Sequence, residues 1–417
     1  MITKKGQLWA IAAGIFAISV LSSCKGGGDG KASGTDSTAT ADAVNVGVLH
    51  SLSGTMSISE VDVKNATLMA IDEINAAGGL LGKKINAVVE DGASDWPTFA
   101  EKATTLIDQD KVAVVFGCWT SSSRKAVLPV FESKNSLLFY PVQYEGMEAS
   151  KNVVYTGAAP NQQILPAVDW LIKQGKKKFF LVGSDYVFPR TANKIIKAAL
   201  AKAGVELVGE EYAPLGHTDF TTIAQKIKAS GADAILNTVN GDSNVGLFKQ
   251  LASAGVSFPA VTTMSFSIAE VELKGIGVDI MKNQYTAWNY FMSMPGAKNE
   301  AFIKAYQAKY GADKPTDDPI EAAYFGVYLW AEAVKKAGTF ETDKVREAVK
   351  GVSFDAPEGK VSISPINNHT VKNFMIGKVN DKGQFDIVFK SDTMIVADPF
   401  PALVTNKKVI APGNITE

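Results

Sequence analysis

The chain has 417 residues, with 42 Lys or Arg against 43 Asp or Glu, so its formal net charge is −1. This balance disfavours a nucleic-acid partner, because binding to phosphates requires a basic face. Hydrophobic residues make up 46% of the chain, which is enough for a well-packed core. The length is typical of two domains of roughly 100–200 residues each.

A short basic and apolar segment opens the chain. Lys4 and Lys5 precede an uncharged run from Leu8 to Leu21, and two serines then lead to Cys24. The run is too short to span a hydrocarbon core of roughly 30 Å and has the proportions of a secretory signal. Its end resembles the lipobox of bacterial lipoproteins. The resemblance implies cleavage after residues 1–23, a lipid on Cys24, and export to the periplasm or outer cell surface. The alternative is an uncleaved anchor with a chance cysteine.

The next segment, residues 24–43, carries small and polar side chains and no large apolar one. Such a composition cannot bury enough surface to fold, which predicts a flexible tether between the lipid and a globular part. If Cys24 carries a lipid, Cys118 has no partner for an intramolecular disulfide, because the chain has only two cysteines.

From Val44 onward, apolar strands alternate with helices of period 3.6. The first series is predicted as Val44–Leu49, helix Asp62–Ala76, Ile85–Glu90, helix Thr98–Asp108, Val112–Phe116, a helix from about Ser122, and Leu137–Tyr140. The second is predicted as helix Gln162–Gln174, Lys178–Val182, helix Arg190–Ala203, Glu206–Tyr212, helix Thr221–Ala229, Ala234–Thr238, helix Ser243–Ala254, Ala260–Thr262 and Gln284–Trp288. The remainder is predicted as helices Asn299–Tyr310, Asp318–Ala337 and Thr342–Val349, followed by strands Val361–Ile363, Asn373–Val379 and a hairpin-like finish at Phe385–Phe389.

Two such series predict an α/β fold of two doubly wound lobes with parallel sheets, joined by three crossovers. We assign residues 44–160 and 290–365 to the N-terminal lobe, and residues 161–289 and 366–399 to the C-terminal lobe. Ligands in open α/β sheets bind outside the carboxyl ends of the strands, so two facing lobes place the site in the cleft between them.

Enzyme chemistry finds little support in the sequence. The three histidines, His50, His217 and His369, do not accompany a Gly-x-Ser-x-Gly elbow, and no His-x-x-x-His or Cys-x-x-Cys motif suggests a metal. The Gly82-Lys83-Lys84 segment lacks the spacing of a phosphate loop and is interpreted as a helix-ending turn. We therefore expect a protein that is not an enzyme and uses no metal or cofactor.

Polar residues collect where strands end. The segment 117–123 after the third strand offers hydroxyls, backbone N–H groups and a helix N-terminus, which are donors for a ligand oxygen, although Ser121 or Ser122 is also suited to cap the helix. Two tyrosines lie in segment 140–146, and Asp185 and Tyr186 follow a strand of the second series. In segment 239–244, we interpret Asp242 or Ser243 as a helix cap.

These strings carry a family resemblance. Segments 46–49, 53–54 and 70–79 resemble periplasmic binding proteins of the branched-chain amino acid type, from about Val44 to Pro399. Segments 119–129, 140–146, 160–163, 183–190, 321–324 and 367–369 are more similar to the subfamily for urea and short-chain amides, and most similar to substrate-binding lipoproteins of urea ABC transporters.

The resemblance implies cleft contacts from Ser121, Tyr140 and Tyr186. A threonine of the relatives is Val142 here, so that hydroxyl contact is missing. The resemblance also implies an ABC permease as partner. Asp95-Trp96 and Ser265-Phe266 lie in loops that can reach the cleft.

Urea is planar and neutral, with four N–H donors and one carbonyl acceptor, so its site needs many hydrogen bonds and no charge clamp. We expect Ser121 and nearby N–H groups to hold the carbonyl, aromatic rings to enclose the plane, and Asp185 or Glu145 to accept amide hydrogens. The full predicted ligand set is Trp119, Thr120, Ser121, Tyr140, Tyr144, Asp185, Tyr186 and Ser265. Two alternatives remain open: a binding protein for short amides or branched-chain amino acids, and a surface-anchored amide hydrolase.

Overall fold

The computed structural model describes residues 43–416. The predicted signal peptide, Cys24 and nearly all of the predicted tether lie outside the described residues. Within them, the chain begins with β1 (Ala43–His50), α1 (Ser57–Ala76), β2 (Lys84–Asp91), α2 (Trp96–Asp108), β3 (Val115–Gly117), α3 (Ser121–Ser133), β4 (Leu138–Tyr140) and β5 (Val153–Tyr155). These five strands form one parallel sheet in the order β2-β1-β3-β4-β5.

The second series follows as α4 (Ile164–Lys173), β6 (Lys178–Ser184), α5 (Val187–Ala203), β7 (Glu206–Ala213), α6 (Thr221–Ser230), β8 (Ala234–Thr238), α7 (Ser243–Ser253), β9 (Thr262–Ser265), α8 (Glu270–Ile276), α9 (Val278–Met281) and β10 (Tyr285–Trp288). The chain then continues with α10 (Ala297–Tyr310), α11 (Asp318–Ala337), α12 (Thr342–Ala348), β11 (Ser353–Ala356), β12 (Gly359–Ile363), β13 (Thr370–Val371), β14 (Met375–Val379), β15 (Phe385–Lys390), β16 (Val409–Ala411) and β17 (Asn414–Ile415).

Seven of these strands form a second sheet in the order β15-β14-β10-β9-β8-β6-β7. Its central strands are parallel, while β14 and β15 add an antiparallel edge, so the hairpin expected at the end is confirmed. The α/β class with parallel-sheet lobes is likewise confirmed. Strands β11, β12 and β13 form a small separate sheet.

The chain passes between the two main sheets more than once. Helix α11 follows β10 of the second sheet, yet it packs in the core of the first, where the Trp330 ring lies 5.8 Å from the Phe116 ring, edge to face. Strands β14 and β15 then rejoin the second sheet. Several connecting segments therefore lie beside one another between the lobes.

Several predicted boundaries were wrong for local reasons. Helix α2 begins at Trp96 because Asp95 caps it, accepting from the N–H of Thr98 at 3.0 Å, and proline follows at position 97. Strand β9 lies at Thr262–Ser265 instead of Ala260–Thr262. These residues pair with Ala234–Asn237 of β8 and are buried, although most of them are polar. The short strands β5, β11, β13, β16 and β17 were not predicted.

Candidate functional site

The two sheets meet through the carboxyl ends of their strands. Beyond β3, the indole nitrogen of Trp119 lies 3.4 Å from the side-chain oxygen of Asn240, which follows β8. Beyond β4, the Gln143 amide donates to the carbonyl oxygen of Phe266 at 2.8 Å, which follows β9. The ring of Tyr186, after β6, lies 6.2 Å from that of Trp96. The structure thus brings these strand ends together across a closed cleft.

The turn from β3 into α3 has a defined helix cap. Thr120 is the N-cap, with an extended backbone (ψ 144°), and its hydroxyl accepts from the N–H of Ser123 at 3.0 Å. Thr120 therefore caps the helix, and the alternative that Ser121 or Ser122 does so is wrong. Because the Thr120 hydroxyl also donates to Ser123 Oγ at 3.0 Å, its hydrogen-bonding capacity is largely used within the turn.

Ser121 belongs to a buried network of charged groups. Its hydroxyl donates to a carboxylate oxygen of Glu145 and accepts from Arg124 Nη1 at 3.0 Å. Arg124 is fully buried and also donates to Glu148 at 2.8 Å and to Glu145 at 3.3 Å. Burial alone would raise the pKa of Glu148, but Arg124 and Lys125 lower it to about 2. The guanidinium charge is therefore compensated within the protein.

Two predicted tyrosines lie beside this network. The hydroxyl of Tyr140 donates to the carbonyl oxygen of Trp119 at 2.5 Å, and the Arg124 guanidinium lies 4.8 Å from the centre of the Tyr140 ring. Tyr186 comes from the other sheet and is only 7% exposed. Burial raises the pKa of Tyr186 well above its ordinary value, and the nearby groups Tyr140 and Glu145 raise it further. The structure thus gathers Trp119, Ser121, Tyr140 and Tyr186 into one cluster.

Tyr144 has its polar group committed elsewhere. Its ring stacks on Tyr155 at 4.9 Å, and Tyr155 stacks on His369 at 4.2 Å. The Tyr144 hydroxyl donates to the carbonyl oxygen of Glu148 at 2.8 Å and lies 2.5 Å from Nε2 of His369. Burial lowers the pKa of His369 to about 3, so this histidine is neutral. The structure gives this stack a packing role, and the Tyr144 ring also lies 4.7 Å from the Arg124 guanidinium, so Tyr144 borders the same buried network as Tyr140.

The two remaining predicted side chains differ in exposure. Asp185 is about half exposed and pairs with Arg190 at 2.8 Å, which holds its pKa below the ordinary value. Ser265 is buried, and its hydroxyl accepts from the Asn237 amide at 3.1 Å. Asp185 lines an outer cavity of about 400 Å³ and not the cluster of Trp119, Ser121, Tyr140 and Tyr186. The other lining residues of this cavity are Thr55, Ser94, Asp95, Trp96, Pro214 and Leu215.

Sequence reasoning overlooked several polar side chains of the cleft. Asn240 and Gln143 both follow the carboxyl ends of strands, and this position in the sequence could have identified them as residues of the cleft. Asp242 occupies the N-cap position of α7 but makes no capping hydrogen bond with its side chain. Its carboxylate instead accepts from the Thr55 hydroxyl across the cleft. The expected capping role of Asp242 is therefore wrong.

A further buried pair joins the last residue of β1 to helix α1. Nδ1 of His50 lies 3.0 Å from a carboxylate oxygen of Glu60, which also accepts from the N–H of Ser51 at 2.9 Å. Glu60 is among the charges that raise the pKa of Tyr186, so the pair lies near the cluster. Cys118 is buried and unpaired, and burial raises the pKa of its thiol.

Residues 43–416 contain no group of three or more His, Cys, Asp or Glu arranged to hold a metal ion. None of the helices in this described range is long and apolar enough to cross a membrane.

Comparison with known proteins identifies the family. Residues 44–406 match the model of a periplasmic binding protein domain. The chain is 27% identical over 355 residues to Leu/Ile/Val-binding protein homolog 6 of Brucella melitensis, covering 82% of this chain and 89% of that protein. It is 26% identical over 312 residues to the leucine-, isoleucine-, valine-, threonine- and alanine-binding protein of Pseudomonas aeruginosa, covering 74% and 81%.

Solved structures show the same architecture. A solute-binding protein of an ABC transporter from Rhodopseudomonas palustris, in complex with 3,4-dihydroxybenzoic acid, matches with a TM-score of 0.76 and 25% identity. That match covers 85% of this chain and 98% of the other. A leucine-binding protein from Thermotoga maritima matches in fold, with a TM-score of 0.73 and 19% identity over 83% of this chain and 98% of its own.

The fold and its inter-lobe cleft thus define a two-lobed solute-binding protein. The chain belongs to the periplasmic binding protein family and is homologous to solute-binding proteins of ABC transporters. Membership of this family implies an extracytoplasmic location, and the homologues bind solutes, which is consistent with the expectation that the chain is not an enzyme.

Proposed function

We propose that the chain is the substrate-binding component of an ABC importer, that it binds a small neutral amide, urea, between its lobes, and that it delivers this ligand to the permease. One observation supports the neutral class of ligand above others. The buried cation of the cleft, Arg124, is already paired with Glu145 and Glu148. A ligand carboxylate would have to displace one of these buried partners, at a cost of several kcal/mol in order of magnitude.

The other charged groups near the cluster also favour a neutral ligand. Glu145 and Glu60 raise the pKa of Tyr186, while Arg124, which is already paired with Glu145 and Glu148, lowers it. An aromatic acid such as the ligand of the Rhodopseudomonas protein would bring a further carboxylate close to Glu145 and Glu60. A neutral ligand avoids that repulsion.

Urea also matches the shapes and donors of the cluster. The rings of Trp119, Tyr140 and Tyr186 supply flat surfaces for a planar molecule. Because the Ser121 proton is directed at Glu145, this hydroxyl is suited to accept a ligand N–H. Ser121 is therefore not expected to hold the ligand carbonyl. Backbone N–H groups in the first turn of α3 would hold it instead.

A branched-chain amino acid is the second candidate. It is favoured by the names of the Brucella and Pseudomonas relatives and by the helix N-terminus of α3, which suits a carboxylate. Titration calorimetry of the purified protein with urea, acetamide, leucine and 4-hydroxybenzoate separates the candidates. We expect heat from urea and little from leucine or the benzoate, whereas leucine binding without a response to urea would contradict the proposal.

The hydrolase alternative is tested with the same ligands. Incubation with urea or acetamide is expected to release no ammonia above the buffer control. Steady ammonia release that Ser121→Ala abolishes would overturn the binding role.

We also propose that Cys24 carries a lipid and that residues 24–43 tether the two lobes near the permease, which raises their effective concentration there. The proposed lobes are residues 44–160 with 290–365, and residues 161–289 with 366–399. Cys24→Ser is expected to release the protein from the membrane fraction and to impair uptake, while the affinity for the ligand stays unchanged. Retention in the membrane fraction would contradict the lipid anchor.

A further inference from the structure

Two buried glutamine side chains meet at one carbonyl oxygen between the sheets. Nε2 of Gln143 donates to Phe266 O at 2.8 Å and to Ser267 Oγ at 2.9 Å. Nε2 of Gln163 donates to the same Phe266 O at 3.2 Å and to Ala287 O at 2.7 Å. Gln143 follows β4 of the first sheet and Phe266 follows β9 of the second, so the two amide groups are neighbours at the junction of the lobes.

The orientation of both amide groups is fixed by their partners. A carbonyl oxygen only accepts, so each NH2 group must face Phe266, and a flipped amide would place two acceptors against each other. The side-chain oxygens of Gln143 and Gln163 are consequently directed away from Phe266. Both oxygens are buried, and neither has a hydrogen-bond partner within residues 43–416. The two residues are only 3% and 1% exposed.

A buried acceptor without a donor destabilises the folded state, so a donor supplied by a bound ligand or by water would stabilise these two oxygens. The neighbouring Gln162 makes the contrast clear. Its side-chain oxygen accepts from the N–H of Ala159 at 2.9 Å, and its NH2 group donates to Thr370 O at 2.9 Å and Ile395 O at 2.8 Å. Gln162 is thus fully paired within the protein, whereas its two counterparts each leave an acceptor unpaired.

We propose that Gln143 and Gln163 select ligands with two amino groups, because their unpaired oxygens accept N–H hydrogens from both ends of a diamide such as urea. The inference rests on the proposed function and adds to it two residues that favour urea over an amide with a single amino group. Acetamide has one amino group and a methyl group, so it leaves one of the two oxygens unpaired. The Gln143 amide also bridges the lobes, which links recognition of the ligand to closure of the cleft.

The test compares urea with acetamide, which differ by one amino group. Calorimetry of the wild-type protein is expected to give a dissociation constant for urea that is lower than that for acetamide by about tenfold or more, the effect of one unpaired buried acceptor. Gln143→Met and Gln163→Met keep the length of the side chain and remove the acceptor. Each is expected to bring the ratio of the two constants close to one, with most of the loss on urea.

Thermal unfolding monitored by circular dichroism shows whether each variant is folded. Gln162→Met is the matched control. This substitution is expected to lower the melting temperature but to leave the ratio of the urea and acetamide dissociation constants at its wild-type value. Equal affinity of the wild-type protein for urea and acetamide, or a preference for urea that survives in both test variants, would overturn the inference while the proposed function stands. If both variants fail to fold, the wild-type ratio alone decides. Binding of leucine with no response to either amide would instead overturn the proposed function, and the inference with it.

Discussion

The indole nitrogen of Trp119 and the side-chain oxygen of Asn240 lie 3.4 Å apart, and they join the carboxyl ends of β3 and β8 across the cleft. Both residues are buried, at 3% and 1% exposure. This hydrogen bond exists only when the lobes are close together. It therefore contributes to the closed form and is absent from any form in which the two sheets separate.

Trp119→Phe keeps an aromatic ring and removes the donor to Asn240. We expect the dissociation constant of the ligand to rise by about two- to tenfold, because one buried hydrogen bond of about 0.5–1.5 kcal/mol is lost from the closed form. Calorimetry measures the constant, and small-angle X-ray scattering with saturating ligand is expected to show a larger radius of gyration. Trp170→Phe is the control, since the Trp170 ring packs on Tyr285 at 5.1 Å outside the cluster. An equal loss in both variants would contradict the role of the hydrogen bond.

Arg124→Met removes the cation between two buried carboxylates. Glu145 and Glu148 would then lie buried with reduced compensation, and we expect a loss of about 3–5 kcal/mol in the free energy of unfolding. Guanidinium chloride unfolding followed by circular dichroism measures this loss. Lys173→Met breaks an exposed pair with Asp169 and is expected to change stability by less than about 1 kcal/mol. Similar effects of the two substitutions would show that the Arg124 network does not stabilise the fold.

A pH dependence is expected from Glu270 at the start of α8. Burial, with a smaller contribution from the nearby Glu272 and Asp318, raises the pKa of this carboxyl from 4.5 to about 8. One of its oxygens accepts from the N–H of Met292 at 2.7 Å, and the other has no partner within the described residues. Between pH 4.5 and 8 the folded chain therefore holds a proton that the unfolded chain releases.

The stability attributed to this proton is complete below pH 4.5 and is lost as the pH rises toward 8, by at most about 1.4 kcal/mol per pH unit. Glu270→Gln mimics the protonated carboxyl, so it is expected to gain stability relative to the wild type at pH 8 and not at pH 4.5. Chemical unfolding across this range measures the difference, with the exposed Glu206→Gln as control. A difference from wild type that does not change with pH would show that Glu270 ionises normally.

The fold could be predicted from the sequence because its signal is local. Each strand of the parallel sheets is a short apolar run and each helix has its own periodicity, so the alternation is visible without tertiary contacts. Strand β9 was misplaced because its buried residues include Thr262, Thr263 and Ser265, whose polarity hides the strand.

The cleft was predicted less completely because its side chains depend on distant partners. Four consecutive hydroxyl residues, Thr120 to Ser123, are all suited to cap a helix, and only the extended backbone of Thr120 decides between them. The orientation of Tyr144 depends on His369, far along the chain. The unpaired oxygen of Gln143 becomes visible only once Phe266 of the other sheet fixes the amide. Position at a strand end was thus a sound guide to the region but not to the role of each residue.

The close approach of β3 to β1 gives a final prediction. A Cβ atom at Gly117 would lie 2.1 Å from the carbonyl oxygen of Leu49, so an alanine there forces the two strands apart. Trp119 and Ser121 follow within four residues and would shift with the backbone. We expect Gly117→Ala to lower the free energy of unfolding by about 1–3 kcal/mol and to weaken ligand binding as well.

Gly326→Ala is the matched control within helix α11. Its added Cβ would lie 3.6 Å from the Thr156 side chain, which is an ordinary contact. Because alanine is favoured over glycine inside a helix, this variant is expected to gain about 0.5–1 kcal/mol and to bind the ligand normally. Chemical unfolding and calorimetry on both variants measure the two effects. If Gly117→Ala lost stability but bound the ligand as tightly as the wild type, the turn after β3 would not position the binding site.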